Sequence, residues 1–309
     1  MRVSLVIDWL QKLEGRMPSI RAALGMTLVS VLLWGFSPIA TRYMVGIGDG
    51  GLAPVAFMGL CYGAAAVLLS PALLLTRGWT SRDWFTGALS GVIGITGYNF
   101  PAAIGQQTVS AGLTGLLDAS EPLLILVFAS IALRKAPSPL TIFSVIIGLF
   151  GVMLLAHGTG PAFGTPRGII LVLTGAALWS LYCVLVTPLI SRRGALPTTA
   201  VTLFFGALPM VLFGAPKIPG LVMSMSLVQW LVSFAIICGN AVVAMLFWNA
   251  GSAVLGAQRA GWFLYLLPLV SLLGGAALLA EPLSWIELLG GALILLAVFL
   301  AHLEAKPPR

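Results

Sequence analysis

The stretch LLDASEPLLIL, Leu116–Leu126, lies inside a longer apolar run, 109–132, whose only charged residues are Asp118 and Glu121. A helix that crosses a bilayer needs about 20 predominantly apolar residues, so this run is long enough to span. A charge at the centre of a span costs about 2.5–3.5 kcal/mol on insertion scales. Two carboxylates in one run therefore call for polar surroundings. The rest of the chain decides whether the run is a span or a buried core helix.

The chain has 309 residues, of which 59% are hydrophobic and only 8% charged, and its mean hydropathy is +1.06. A soluble domain carries about 25% charged residues. So few charges cannot cover a water-facing surface, and lipid must be the main solvent. Strands of a membrane barrel alternate polar and apolar residues, and no such alternation is present. The expected fold is an all-α polytopic membrane protein.

Gly, Pro and charge punctuation marks ten spans near 20–45, 52–76, 84–106, 109–132, 138–157, 167–190, 197–215, 229–251, 256–279 and 283–303. The connections between them leave no room for a soluble domain. With the N-terminus placed inside, thirteen of the sixteen Lys and Arg residues fall on the inner segments; only Arg42, Arg167 and Lys217 fall outside. Inner loops are enriched in Lys and Arg, so both termini are expected in the cytoplasm and the protein in the inner or plasma membrane. The net charge of +7 follows from these scattered pairs and does not suggest nucleic-acid binding.

Residues 1–18 put Val3, Val6, Trp9, Leu10 and Leu13 on one helical face with Arg2, Lys12 and Arg16 available to headgroups. That pattern predicts an interfacial helix. No cleavable signal peptide is apparent. Cys61, Cys183 and Cys238 lie in apolar runs without metal or disulfide spacing.

Shifted against itself by about 146 residues, the chain aligns its landmarks without a gap: Trp84 meets Trp230, Gly105 meets Gly251, Gly115 meets Gly261, Pro122 meets Pro268 and Ser138 meets Ser284. One residue less brings Leu33-Trp34 onto Leu178-Trp179. The units are 19–157 and 166–303, followed by a tail at 304–309. Five spans per unit is an odd number, so the second unit starts on the opposite side. Two inverted five-helix repeats are an architecture of secondary transporters, with the substrate site near the midplane where the repeats meet.

The stretches LLWGFSPIATRYM (32–44), ASEPLLILVFASIALRKAPSPLTIFSVIIGLFGVMLL (119–155) and LPLVSLLGGAALLAEPLSWIELLGGALILLAVFLA (267–301) resemble spans of the drug/metabolite transporter superfamily, EamA-like branch. Trp34-Gly35 with Arg42 eight residues after the Trp, and Glu281-Pro282-Leu283-Ser284, carry its patterns. The resemblance implies ten helices in two repeats and export of small metabolites. Many members carry Arg in the second span; here that region is Gly59-Leu60-Cys61-Tyr62.

Asp118 and Glu121 are three apart and share a helical face. Pro122 cannot donate a backbone hydrogen bond and crowds the carbonyl of residue 118. Backbone freed at membrane depth is tolerated only against protein or water, so acids, carbonyl and kink all predict a polar cavity. Such a pair can exchange protons or hold a substrate ammonium. Arg42 is its candidate partner. The repeat counterparts of the two acids are Leu264 and Leu267, whereas the prolines match, so Pro122 and Pro268 read as shared hinges and the acids as particular to one unit.

A second polar group comprises Tyr98 and Asn99 in the third span, Trp179 and Tyr182 in the sixth, Asn240, Trp248 and Asn249 in the eighth, and Gln258, Trp262 and Tyr265 in the ninth. Aromatic walls with a few placed polar groups make small-molecule pockets. Trp34, Trp79, Trp84, Trp230 and Trp285 read instead as interface anchors.

The sequence thus points to a carrier of small neutral or cationic solutes, amino acids and amphiphilic compounds among them, with protons as a possible coupling ion. A sugar-phosphate substrate would want deep Lys or Arg. A membrane-embedded enzyme is the alternative, but no metal cluster, phosphate loop or nucleophile–base pair is visible, and no cofactor is expected. A channel or accessory subunit is the third reading.

Overall fold

The computed structural model describes residues 18–46, 51–132, 134, 138–158, 164–256 and 260–304; every regular element among them is helical. The interfacial helix expected at the N-terminus, Gln258 and the tail beyond Glu304 lie outside the described residues. The helices are α1 Ile20–Val45, α2 Pro54–Leu69, α3 Ser81–Gly91, α4 Gly97–Gly105, α5 Ala111–Asp118, α6 Glu121–Ala132 and α7 Pro139–Gly158. The second part of the chain forms α8 Pro166–Arg193, α9 Ala195–Gly214, α10 Ile218–Ser224, α11 Leu227–Phe234, α12 Met245–Leu255, α13 Leu266–Leu279 and α14 Trp285–Glu304. Among the described residues, six helical stretches are long and apolar enough to cross a membrane: 20–45, 54–76, 111–132, 166–193, 195–214 and 227–255. Shorter apolar helices occupy 142–154, 266–279 and 285–297. The short helix α10 was not expected from the sequence.

Helix starts carry their chemical signatures, and two of them recur at the repeat spacing. Ahead of α3, Thr80 Oγ1 accepts from the Asp83 amide at 3.3 Å and the Asp83 carboxylate accepts from the Thr80 amide at 3.0 Å. Ahead of α11, Ser226 and Gln229 form the same reciprocal box at 3.3 and 2.9 Å. Such boxes satisfy two of the amides that a helix start leaves open. A π-helical segment, Val92–Thr96, joins α3 to α4, and another, Ala235–Ala244, joins α11 to α12. Residues 238–242, the counterparts of the first segment, fall within the second.

The fourth expected span is not one kinked helix. It ends at Asp118, turns through Ala119 and Ser120, and restarts at Glu121. The Ser120 amide and hydroxyl both donate to the Leu117 carbonyl, at 3.0 and 2.7 Å, which closes the first half-helix. Pro122 then stands in the first turn of α6, where its missing N–H leaves no bond unmade. In the ninth span a 3-10 turn, Trp262–Tyr265, precedes α13, and Pro268 again stands in the first turn. The sequence located both sites; it did not reveal that the one in the fourth span separates two half-helices.

Helix α2 packs on α9, α5 on α13, and α7 on α14, while α1 packs on α12 and α13 as α8 packs on α4 and α6. In lipid, helices associate through close packing and hydrogen bonds rather than hydrophobic burial. Glycines provide the close approach: a Cβ on Gly59 would lie 2.5 Å from the Met210 carbonyl oxygen, and one on Gly206 the same distance from that of Gly91. Ser30 Oγ donates to the Ala244 carbonyl at 2.9 Å and Ser271 Oγ to that of Gly35 at 2.8 Å. Each such bond contributes about 0.6–2 kcal/mol in a membrane.

Candidate functional site

The broken span brings its acids to a cavity of about 50 Å³ in the interior. Asp118 and Glu121 line it from either side of the break, and both are buried, at 4% and 3% exposure. Tyr98 and Asn99 enter from α4, Ile95 from the first π segment, and Tyr62 from α2. Trp34 and Ser37 enter from α1, Trp179 from α8, Asn240 from the second π segment, and Met245 and Leu267 from α12 and α13. A water needs about 10–15 Å³ of such space, so the cavity has room for several.

Tyr98 Oη donates to Asp118 Oδ2 at 3.0 Å, whereas Asp118 Oδ1 is buried without a hydrogen-bond partner. Asn240 Nδ2 donates to Tyr62 Oη at 3.2 Å, and Asn240 Oδ1 is likewise buried and unpartnered. Asn99 donates to its own helix, at the Ile95 carbonyl, 2.8 Å away. Among the described residues, no Lys or Arg lines the cavity. A buried unsatisfied polar atom costs about 1–3 kcal/mol. Two of them on residues that line one cavity therefore favour a hydrogen-bond donor there.

Aromatic rings back the polar groups. Trp34 meets Trp179 edge to face with centroids 5.3 Å apart, and Trp248 at 5.2 Å. Trp179 stacks on Tyr182 at 4.9 Å and faces Tyr98 at 6.0 Å. Trp34 Nε1 also donates to the Asn240 carbonyl, at 3.4 Å, a group that belongs to the π segment.

Several sequence-predicted residues are placed elsewhere. Trp248, Tyr182 and Asn249 are buried behind the cavity rather than in its lining. Asn249 donates to Thr199 Oγ1 at 2.8 Å and to Tyr182 Oη at 3.5 Å, so it ties α12 to α8 and α9. Trp262 and Tyr265 stand in the 3-10 turn, and their side chains, like Gln258, are outside the described set. Arg42 is not brought to the acid pair. It donates to the Gln106 carbonyl at 2.7 Å and lies 3.8 Å from Glu281.

Sequence reasoning missed Trp34, Ser37, Tyr62, Met245 and Leu267 as lining residues. For Trp34 a signal existed. It is the fifteenth residue of a 26-residue helix, too deep for an interface anchor, and its repeat counterpart is Trp179. Glu281 was read only as part of a connecting motif. Its carboxylate accepts from the amides of Ala111 and Gly112 at 2.9 and 3.2 Å, so it caps α5 from the loop between α13 and α14. Arg42, Gln106 and Glu281 thus hold one end of the bundle. At another helix end, Asp83 binds Arg193 at 2.6 Å and Arg192 at 3.3 Å, joining the start of α3 to the end of α8. Asp83 precedes the span read from the sequence. The Thr80 amide first, and then the Arg193 guanidinium, hold its carboxyl below the usual carboxylate range.

An all-helical chain with bilayer-length apolar helices, enclosing a small aromatic and acidic cavity, has the build of a multi-pass membrane transporter. The EamA-like transporter family matches twice, over residues 21–156 and 166–303, and the chain belongs to that family. The cavity draws residues from both matched units. An inner membrane transporter of Escherichia coli K12, YedA, is 29% identical over 300 residues, covering 92% of this chain and 93% of that protein. A transporter of Archaeoglobus fulgidus is 25% identical over 272 residues, covering 88% of this chain and 95% of its own. A solved crystal structure superposes with a TM-score of 0.64 at 22% identity, over 93% of this chain and 98% of that one; this likeness concerns the fold. The family and these relatives point to transport rather than to an enzyme.

Proposed function

We propose that the chain is a secondary-active carrier that moves small neutral or cationic organic solutes, amino acids and amphiphilic compounds among them, out of the cell in exchange for protons. Its ten spans form two inverted five-helix repeats, 19–157 and 166–303, with both termini in the cytoplasm. The helix pairings are consistent with this arrangement, because exchanging the two units returns α2–α9 and α7–α14 to themselves and maps α1–α12 and α1–α13 onto α8–α4 and α8–α6. The observation that carries the reading is the cavity shared by both units, where Asp118 keeps one oxygen unpartnered beside Glu121. In this reading the two units rock about the interruptions before Pro122 and Pro268. The Asp83–Arg192–Arg193 cluster closes the cytoplasmic end, and the Arg42–Gln106–Glu281 cluster the outer one.

The acid pair is the coupling site: it is protonated in one orientation and takes substrate in the other. Protein reconstituted in liposomes tests this with uptake of an amino-acid and organic-cation panel, with and without a pH gradient. Gradient-dependent uptake of at least one solute is expected. Equal uptake with and without the gradient would remove proton coupling, and no solute movement at all would remove the carrier reading.

A further inference from the structure

We infer that the cavity selects a protonated primary amine with an apolar or aromatic body and no free carboxylate. The inference rests on the carrier reading and narrows it. Asp118 and Asn240 both line the cavity, and the Oδ1 atom of each is a buried acceptor without a partner, so a ligand group that matches both is a donor with more than one N–H. Glu121 lies in the same lining and adds a second carboxylate on that side. The rings of Trp34 and Trp179, 5.3 Å apart, share this lining with Met245 and Leu267. An ammonium bound by the carboxylates beside these rings gains charge-assisted bonds and cation–π attraction together.

The carboxylate of a zwitterion would fare badly in the same place. Among the described residues no Lys or Arg lines the cavity, and Arg42 is engaged by the Gln106 carbonyl and Glu281. A ligand carboxylate would sit near Asp118 and Glu121 with no described cation beside it to offset the repulsion. Burying a charge without a partner is strongly unfavourable. A quaternary ammonium satisfies the rings but offers no N–H to either acceptor. The cavity, about 50 Å³, accommodates the amine head.

A matched series on the purified full chain tests the inference. Binding of 2-phenylethylamine, phenylalaninol, phenylalanine, 3-phenylpropionate and phenyltrimethylammonium is measured by titration calorimetry. The two amines are expected to bind at least tenfold tighter than phenylalanine and than phenyltrimethylammonium, and 3-phenylpropionate not to bind. Asp118→Asn is expected to weaken both amines at least tenfold. Phenylalanine binding as tightly as phenylalaninol, or no binding by either amine, overturns the inference, and this wild-type comparison decides even if the variant misfolds. Counterflow of neutral solutes in liposomes separates the two levels. Exchange that persists without amine preference leaves the carrier reading standing and removes only the amine selectivity.

Discussion

Asp118 carries more of the proposed chemistry than any other side chain, and its neighbours say what its removal should do. Replacing it by Asn keeps the shape and the Tyr98 contact at 3.0 Å but removes the charge. Initial uptake by Asp118→Asn is expected to fall at least tenfold and to lose its dependence on the pH gradient, as read by radiolabelled uptake in liposomes. Unchanged transport with unchanged proton dependence would remove Asp118 from the mechanism. Tyr98→Phe deletes one hydrogen bond to a charged group, a change of about 1.5–3 kcal/mol. Its effect should overlap with that of Asp118→Asn in a double-mutant cycle rather than add to it. At this scale the sequence was legible where a residue violated the rule of its surroundings. Two acids in an apolar run announce themselves. Trp34 did not, because tryptophan in a membrane protein has a common innocent role at the interface; only its depth in α1 and its pairing with Trp179 distinguish it. Tyr62 and Met245 obey every local rule, and only the packing of α2 against the second π segment, from which α12 continues, brings them to one cavity.

Single helices were legible in outline, less so in their interruptions. Apolar length and punctuation located most boundaries because lipid demands long uninterrupted helices. Where two half-helices follow one another, composition does not change, so the break at Ala119–Ser120 could be read only as a kink. The same blindness hid Glu281. It lies 170 residues from Ala111, whose amide it accepts at 2.9 Å, and no local pattern reports such a cap. Removing a capping side chain costs about 0.5–2 kcal/mol. Glu281→Ala is therefore expected to lower the thermal midpoint of the purified protein in detergent, whereas Glu281→Gln, which keeps an acceptor oxygen, should lose less. Equal midpoints for Ala and wild type would show that the α5 amides find other partners. A Cβ on Gly275 would lie 2.5 Å from Glu281 Oε2, so Gly275→Ala should displace the cap and behave like Glu281→Ala in the same assay.

Across the whole molecule, the repeat spacing organises what the residues do. Capping boxes at Thr80 and Ser226, overlapping π segments, and prolines in first turns all recur about 146 residues apart. The recurring features are structural; the differing ones carry charge. Asp83 answers to Gln229, as Asp118 answers to Leu264. Asp83 supplies the prediction at this scale. Its folded-state pKa is depressed, so its stabilising contribution is fully present above the unfolded carboxylate value of about 4 and is lost as pH falls toward the folded value. Wild type should melt above Asp83→Asn at neutral pH, and the gap should shrink as the pH drops below about 4. A gap independent of pH would mean that the Arg192 and Arg193 contacts contribute nothing through charge.

The placing of both carboxylates in one unit has a consequence for the passenger. In an exchange of roles between the two units, a head group moored at Asp118 keeps the same berth on both sides of the journey. Under the proposed rocking it would stay with the first unit, which carries both Asp118 and Glu121. Had Leu264 and Leu267 also been acids, the passenger would have had two equivalent moorings and could have turned around in transit.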